Sequence, residues 1–297
     1  MSTVNWDLFK CRCSAINKLL ANGADGRQIT EKQEVELKKL EDKLTLTTPQ
    51  KEEIERLRAL KAKKGIIVLG DTAVGYLMEV YAWETEQMIA VGKESLDMMQ
   101  MKKGKVGEAE AGMLLCEVDG KEYLQDKQRI FNDFLSGEVD FFIGESIYKA
   151  KNVTDIKNAF DYPSLLKKIH NGLEPGQKEQ LQGYGDITGA QELFVANCLI
   201  SFTVDMVRDM EYKVLRKLNC ATTESPEFIE IWPQFERSMY FEKILPHKRV
   251  HKIPVTPFSE FERQRIYDRV KFAREFLWKF DEEHENRNLI QNPDSIE

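Results

Sequence analysis

Two apolar runs with the composition of β-strands each carry an aspartate. Asp140 precedes "FFIG", and Asp155 lies in "NVTDIK", where Ile156 separates it from Lys157. Because successive side chains of a strand point to opposite faces, Asp155 and Lys157 share one face while Ile156 enters the core. If Asp140 lies on the neighbouring strand, two carboxylates and one ammonium group meet at an edge of a sheet.

Such a group of charges suits a divalent metal site. Charged side chains rarely remain in a core unless they are paired or bind a metal, and neighbouring carboxylates raise each other's pKa unless a cation lies between them. Oxygen ligands favour Mg²⁺ or Mn²⁺ over zinc. Such an ion can bind a phosphate oxygen and lower the pKa of water, while a lysine orients that water or neutralises developing charge. The alternative is a surface hairpin whose exposed Asp155–Lys157 ion pair contributes little to stability.

Three further polar residues could complete this site. Glu108 would supply a third carboxylate from a predicted helix, where the small Ala111 and Gly112 leave room for the helix to approach the sheet. Gln180 and Tyr184 project from one face of a later predicted helix. An amide and a phenol there could bind a phosphate or the attacking water. The alternative is a packed tyrosine beside a solvated glutamine.

Helical patterns alternate with short extended runs around these residues. This order predicts an α/β fold in which a small mixed sheet is flanked by helices. The predicted elements are helices over residues 98–116, 177–190 and 259–287, and strands over 121–124, 138–144, 146–157 and 192–202.

A charged helical hairpin is predicted at residues 30–64. Apolar residues at helical spacing form two runs on either side of Pro49, and Thr48 is predicted to cap the second helix. Residues 1–64 are therefore predicted as an N-terminal segment and 65–297 as the main domain. Within that domain, the motif core covers about 98–205 and a helical part covers 206–297.

Composition argues against several classes of protein. The 297 residues carry a net charge of −7, unlike a strongly basic nucleic-acid-binding protein, although Lys102, Lys103 and Lys105 form a local cluster that is most simply a solvated face. No apolar run reaches the ~20 residues of a membrane span, and the start of the chain lacks the apolar segment of a signal peptide. The five cysteines lack paired metal-ligand spacing, which favours reduced thiols in a cytoplasmic protein.

The order of the motifs resembles that of the PD-(D/E)XK nuclease superfamily, and most of all its phage exonucleases of the lambda exonuclease and RecB-nuclease type. Glu108 ends "KGKVGE", Asp140 ends "GEVD", residues 155–157 read "DIK", and Tyr184 ends "QLQGY". Val139 stands where this family usually has proline. The resemblance implies a restriction-endonuclease-like core.

The resemblance also implies a role for each residue of the site. The metal is implied to be Mg²⁺ or Mn²⁺. The implied metal ligands are Glu108, Asp140, Asp155 and the carbonyl of Ile156. The implied catalytic residues are Glu108, Asp140, Asp155 and Lys157, and the lysine activates water. Gln180 and Tyr184 are implied to bind the substrate.

The implied activity is metal-dependent hydrolysis of DNA phosphodiester bonds by an exonuclease that acts on duplex ends in phage-type recombination or DNA processing. One alternative is a catalytically inactive nuclease fold that binds DNA or a recombination partner. Another is a structural or inhibitory protein that acts through the 30–64 arm. The expected partners are DNA, a single-strand annealing protein and further copies of the chain, without a membrane. The expected location is the cytoplasm, that of the host if a phage encodes the chain.

Overall fold

Two packed units divide the chain, one mainly helical and one built around a β-sheet. The computed structural model describes residues 4–21, 29–43, 45–63, 68–88 and 98–291. The helical unit comprises Met1–Cys11, Ala15–Ala90 and Phe261–Glu297, and the sheet unit comprises Arg12–Ser14 and Val91–Glu260. The C-terminal helix thus groups with the N-terminal segment, whereas the sequence pattern assigned it to the main domain.

The described residues form helices and strands with the following bounds. The helices are α1 (Ile16–Leu19), α2 (Glu31–Glu41), α3 (Thr48–Ala62), α4 (Asp71–Glu86), α5 (Met98–Val106), α6 (Glu108–Asp119), α7 (Tyr162–Asn171), α8 (Gln177–Thr188), α9 (Val204–Leu218), α10 (Pro226–Arg237) and α11 (Glu260–Gln291). The strands are β1 (Cys11–Arg12), β2 (Ile130–Phe131), β3 (Leu135–Gly137), β4 (Phe141–Gly144), β5 (Ala150–Asn158), β6 (Glu192–Cys198) and β7 (Val250–Val255).

Helix α11 groups with the helical unit, and one of its faces is buried. Val270 and Leu277 on that face are fully buried. Arg269, which is 3% exposed, donates a hydrogen bond from Nη1 to the carbonyl of Val68 at 2.9 Å. This contact, and the hydrogen bond from Arg274 Nε to the carbonyl of Phe9 at 3.0 Å, join α11 to the N-terminal part of the chain.

Helices α2 and α3 form the helical hairpin that the sequence predicts. Leu37 and Leu57 are buried in a small apolar cluster between them. The predicted cap at Thr48 is wrong by one residue, because Thr47 is the N-cap of α3. The side chain of Gln50, three residues later, accepts a hydrogen bond from the Thr47 amide at 3.1 Å, as in a capping box.

The main sheet has the strand order β4-β5-β6-β7. Strand β5 is parallel to β6 and antiparallel to β4, and β7 is antiparallel to β6. A smaller sheet has the order β1-β3-β2. The predicted α/β fold with a small mixed sheet is confirmed. Because β5 lies between two neighbours, its backbone is held on both sides, which suits a strand that carries functional side chains.

Helix α6 packs on one face of the main sheet. Ile156 of β5 and Phe141 of β4 are buried in an apolar cluster with Leu115 of α6. A Cβ atom added to Gly112 would lie 2.5 Å from Cε1 of Phe141. The expectation that small residues allow this helix to approach the sheet is therefore confirmed.

The helix predicted over residues 98–116 is instead two helices, α5 and α6, that meet at Gly107. A Cβ atom at this position would lie 1.7 Å from Cδ1 of Ile200 and 2.9 Å from the carbonyl oxygen of Lys103. A side chain at position 107 would collide with these atoms, so only glycine fits at the break between the two helices. Its consequence is that Glu108 begins a new helix.

Replacing Gly107 by alanine is expected to destabilise the protein by about 1–3 kcal/mol, the usual cost of overpacking a core. Urea unfolding measures the change. Gly104→Ala is the matched control on α5, because a Cβ there meets nothing within 4 Å. Since alanine favours helix more than glycine, this control should be neutral or slightly stabilising. Equal stability of the two variants would contradict the tight contact at Gly107.

The structure also tests the predictions on thiols and membrane spans. All five cysteines are free, as predicted. Burial raises the pKa of Cys198 to about 12 and has the same effect on Cys11, so both thiols stay protonated. Within the described part of the chain, no helix is both long and apolar enough to cross a membrane.

Candidate active site

The register of β4 and β5 brings the two predicted aspartates together. Phe141 pairs with Thr154 in this antiparallel ladder, so Asp140, one residue earlier, lies beside Asp155. The amide of Ile156 donates a hydrogen bond to Oδ2 of Asp140 at 2.7 Å. This bond fixes the Asp140 carboxylate against the backbone of the central strand.

Asp155 is a buried carboxylate with one incompletely satisfied oxygen. Its residue is 2% exposed, and Gln180 Nε2 donates a hydrogen bond to Oδ1 at 3.3 Å. Lys157 Nζ lies 2.8 Å from Oδ2, and no described group donates a hydrogen bond of regular geometry to this oxygen. The alternative of an exposed surface ion pair is therefore wrong.

The two carboxylates and the lysine perturb one another electrostatically. Burial, and next the charge of Asp155, raise the pKa of Asp140 well above its usual range, although the Ile156 amide and Lys157 act in the opposite direction. Burial lowers the pKa of Lys157, but the two aspartates outweigh it, so its pKa stands above the ordinary value. A site with this excess of negative charge favours a further cation.

A hard divalent cation fits this pair of aspartates. Oδ2 of Asp155 is buried and has the Lys157 ammonium group as its neighbour at 2.8 Å, and Asp140, next to the first residue of β4, lies beside Asp155. No group of three or more His, Cys, Asp or Glu side chains within the described ranges forms a ready-made metal cage. Mg²⁺, however, usually takes one or two protein carboxylates and keeps several waters. Ile156, the other predicted ligand, lines the same cleft.

Glu108 stands at the first position of α6 and lines the same cleft as the aspartates. Its Oε2 accepts hydrogen bonds from Lys127 Nζ and from Gln125 Nε2, the latter at 3.3 Å. The hydrogen bond to Glu108 is the main reason that the pKa of Lys127 stands above its ordinary value. Glu108 stays a predicted third ligand, and Lys127 is the cation that it contacts here.

Gln180 and Tyr184 lie on one face of α8, as the spacing predicts. Gln180 Nε2 donates hydrogen bonds to Tyr184 Oη at 2.9 Å and to Asp155 Oδ1. Tyr184 is 6% exposed, and burial raises its pKa. A Cβ atom at Gly137 would lie 2.5 Å from Cε1 of this ring, so the glycine of "GEVD" makes room for the tyrosine. Of the two, Gln180 lines the cleft, and Tyr184 supports it from the buried side.

An open cleft of about 280 Å³ contains the charged groups of the site. It is also lined by Gly104, Lys105 and Asn158, which lie outside the predicted set of site residues. Asn158 Nδ2 donates a hydrogen bond to the carbonyl of Gly104 at 3.3 Å. The sequence signal that could have identified Gly104 and Lys105 is "KGKVGE", which contains both.

Three solved structures with a similar fold are structures of exonucleases. A phage-related exonuclease from Haemophilus somnus 129PT matches with a TM-score of 0.55 at 16% identity, over 93% of this chain and 96% of its own. The alkaline exonuclease LHK-Exo from Laribacter hongkongensis matches with a TM-score of 0.51 at 10% identity, over 96% of this chain and 97% of its own. LHK-Exo in complex with dAMP matches with the same TM-score and identity.

Comparison of the sequence with protein families and curated proteins gives no match. At identities of 10–16%, the likeness shows a shared fold and does not by itself show a shared activity. The chain therefore has the fold of the phage-type exonucleases that its motif order resembles.

Proposed function

We propose that this chain is a metal-dependent DNA nuclease that hydrolyses phosphodiester bonds and, more narrowly, an exonuclease on duplex ends. The observation that carries the proposal is that Asp140, Asp155 and Lys157 line one cleft on a fold shared with exonucleases. LHK-Exo was solved in complex with dAMP, which supports a substrate made of nucleotides.

The residues of the cleft have different roles in the proposed reaction. Asp140 and Asp155 would hold the divalent ion, and Glu108, which lines the same cleft, would be a further ligand. When bound, Mg²⁺ or Mn²⁺ supplies Lewis acidity toward a phosphate oxygen and makes water more acidic. The Ile156 amide and Gln180 hydrogen-bond the two aspartates and so orient them before substrate arrives.

Lys157 supplies the positive charge of the proposed reaction. Its side chain is 29% exposed and lines the cleft, so a phosphate or a water in the cleft can reach the ammonium group. Since its pKa stands above the ordinary value, it stays protonated at neutral pH. Its position in the cleft suits it to orient the attacking water and to neutralise the charge that develops on the phosphate.

The biological setting belongs to the same proposal and rests on the resemblance of the motifs. Phage-type recombination or DNA processing in the cytoplasm is the proposed role. A single-strand annealing protein and further copies of the chain are its proposed partners. Structural neighbours described as phage-related and alkaline exonucleases are consistent with that role.

Incubation of the purified protein with linear, nicked and closed circular DNA tests the proposal. With Mg²⁺ we expect loss of the linear duplex from its ends, an intact closed circle, and no cleavage of any substrate in a chelator. Gel electrophoresis and release of acid-soluble nucleotides measure the result. Cleavage of closed circles would make the protein an endonuclease. DNA binding without any cleavage would favour the inactive DNA-binding alternative.

A further inference from the structure

Lys103 is a buried lysine whose ammonium group lies among aromatic rings. The residue is 2% exposed. The interpretation of Lys102, Lys103 and Lys105 as a solvated face is therefore wrong for Lys103. Its Nζ lies 4.2 Å from the ring centroid of Phe202, 5.2 Å from that of Phe241 and 5.7 Å from that of Phe160. The same atom donates a hydrogen bond to the carbonyl of Phe160 at 2.6 Å.

Packing alone does not account for a lysine at this position. Burying an ammonium group is costly unless its contacts compensate. Burial lowers the pKa of Lys103 to about 7, while Asp161 and Glu110 act in the opposite direction. The aromatic rings also favour the charged form, because their faces attract a cation. A leucine would fill the same space without this cost, so the polar contact itself requires an explanation.

The hydrogen bond of Lys103 attaches α5 to the chain just beyond β5. Phe160, which accepts it, follows the last residue of β5 by two positions. The next residue of α5, Gly104, accepts a hydrogen bond from Asn158, the last residue of β5. Two adjacent residues of α5 thus hold the helix against the end of the strand that carries the catalytic groups. The following residue, Lys105, is exposed and lines the cleft.

We propose that Lys103 is a positioning residue that holds Lys105 at the wall of the cleft, where Lys105 binds a phosphate of the DNA strand. The inference rests on the proposed function, which it deepens by naming a backbone contact of the substrate. Lys105 and Lys157 line the cleft together, so both can face a polyanion. Lys102 has a different role, because it pairs with Asp209 of α9 at 2.6 Å.

Equilibrium binding of a short fluorescein-labelled duplex, with Ca²⁺ replacing Mg²⁺ to separate binding from cleavage, tests this role. Lys105→Met should weaken binding about tenfold, the effect of one charge-assisted hydrogen bond. It should also reduce the slope of log Kd against log salt concentration by about 1. Lys103→Met should produce both effects, although its side chain is buried. The double variant should bind no more weakly than either single variant.

Two further variants separate positioning from a general structural role. Lys103→Arg keeps the charge and the donor, and we expect it to restore most of the binding. Lys102→Met is the matched control on α5 and should bind like the wild type. If Lys103→Met does not fold, Phe202→Leu removes the nearest ring and should weaken binding in the same direction, but not in a Lys105→Met background.

Several outcomes would overturn the inference. Multiplicative losses in the double variant, or an unchanged salt slope in Lys103→Met, would mean that Lys103 does not act through Lys105. Wild-type binding by Lys103→Met would overturn the inference and leave the proposed nuclease intact. A wild-type protein that binds no DNA would overturn both.

Discussion

Replacing Lys157 by methionine is expected to lower the rate of DNA cleavage by about 10²–10³-fold, the usual effect of removing one preorganised electrostatic stabiliser. Methionine keeps an unbranched apolar stem and removes the charge together with the hydrogen-bond donors of the ammonium group. Binding of the metal should be unchanged or tighter, because the ammonium group no longer competes for Asp155. Single-turnover cleavage of a linear duplex measures the first effect, and calorimetric titration with Mn²⁺ measures the second.

The matched control is Lys149→Met, in the connection between β4 and β5. Lys149 is exposed and pairs with Glu145 at 3.2 Å, outside the cleft, so this variant should cleave like the wild type. Cleavage at the wild-type rate by Lys157→Met would mean that the reaction does not use this cleft. Loss of metal binding in that variant would instead make Lys157 a support for the aspartates.

Replacing Asp140 by asparagine is expected to abolish metal binding and cleavage together while stabilising the metal-free protein. The asparagine carbonyl can still accept the hydrogen bond of the Ile156 amide, so the local geometry is preserved. The negative charge that faces Asp155 is lost, and with it both the ligand and the repulsion. In a chelator at neutral or higher pH, the free energy of unfolding should rise by about 1–3 kcal/mol, because the buried charge and its repulsion with Asp155 are removed.

The same pair of aspartates determines the sign of a pH dependence. Burial and the charge of Asp155 raise the pKa of Asp140 in the folded state, whereas the unfolded chain has the ordinary value of about 3.9. Between these two values, the folded protein keeps a proton that the unfolded chain releases. The contribution of Asp140 to stability is therefore present at low pH and is lost as the pH rises through its raised folded value.

Urea unfolding of wild type and Asp140→Asn across this pH range isolates the effect, since the other titrating groups are common to both. The amount by which the free energy of unfolding of Asp140→Asn exceeds that of the wild type should grow as the pH rises. Glu138→Gln, two residues earlier and exposed, is the control and should show no such trend. A difference between wild type and Asp140→Asn that is constant with pH would contradict the proposed repulsion.

The local part of the site follows from the sequence. Side-chain alternation along "DIK" correctly predicts that Ile156 enters the core while Asp155 and Lys157 share the other face, because alternation is a property of any strand. The spacing of Gln180 and Tyr184 correctly predicts a shared helical face for the same kind of reason. The α/β architecture and the helical hairpin of α2 and α3 are likewise predictable from periodicity.

Contacts between residues far apart in sequence were decided only by the tertiary structure. The sequence "KGK" does not distinguish its two lysines, yet Lys103 is buried among aromatic rings and Lys105 is exposed at the cleft. Asp155 is buried because β4, β6 and α8 surround β5, and the contact of Glu108 with Lys127 spans 19 positions. Periodicity specifies which face of an element is apolar. It does not specify which other element covers that face, because this depends on the packing of the whole chain.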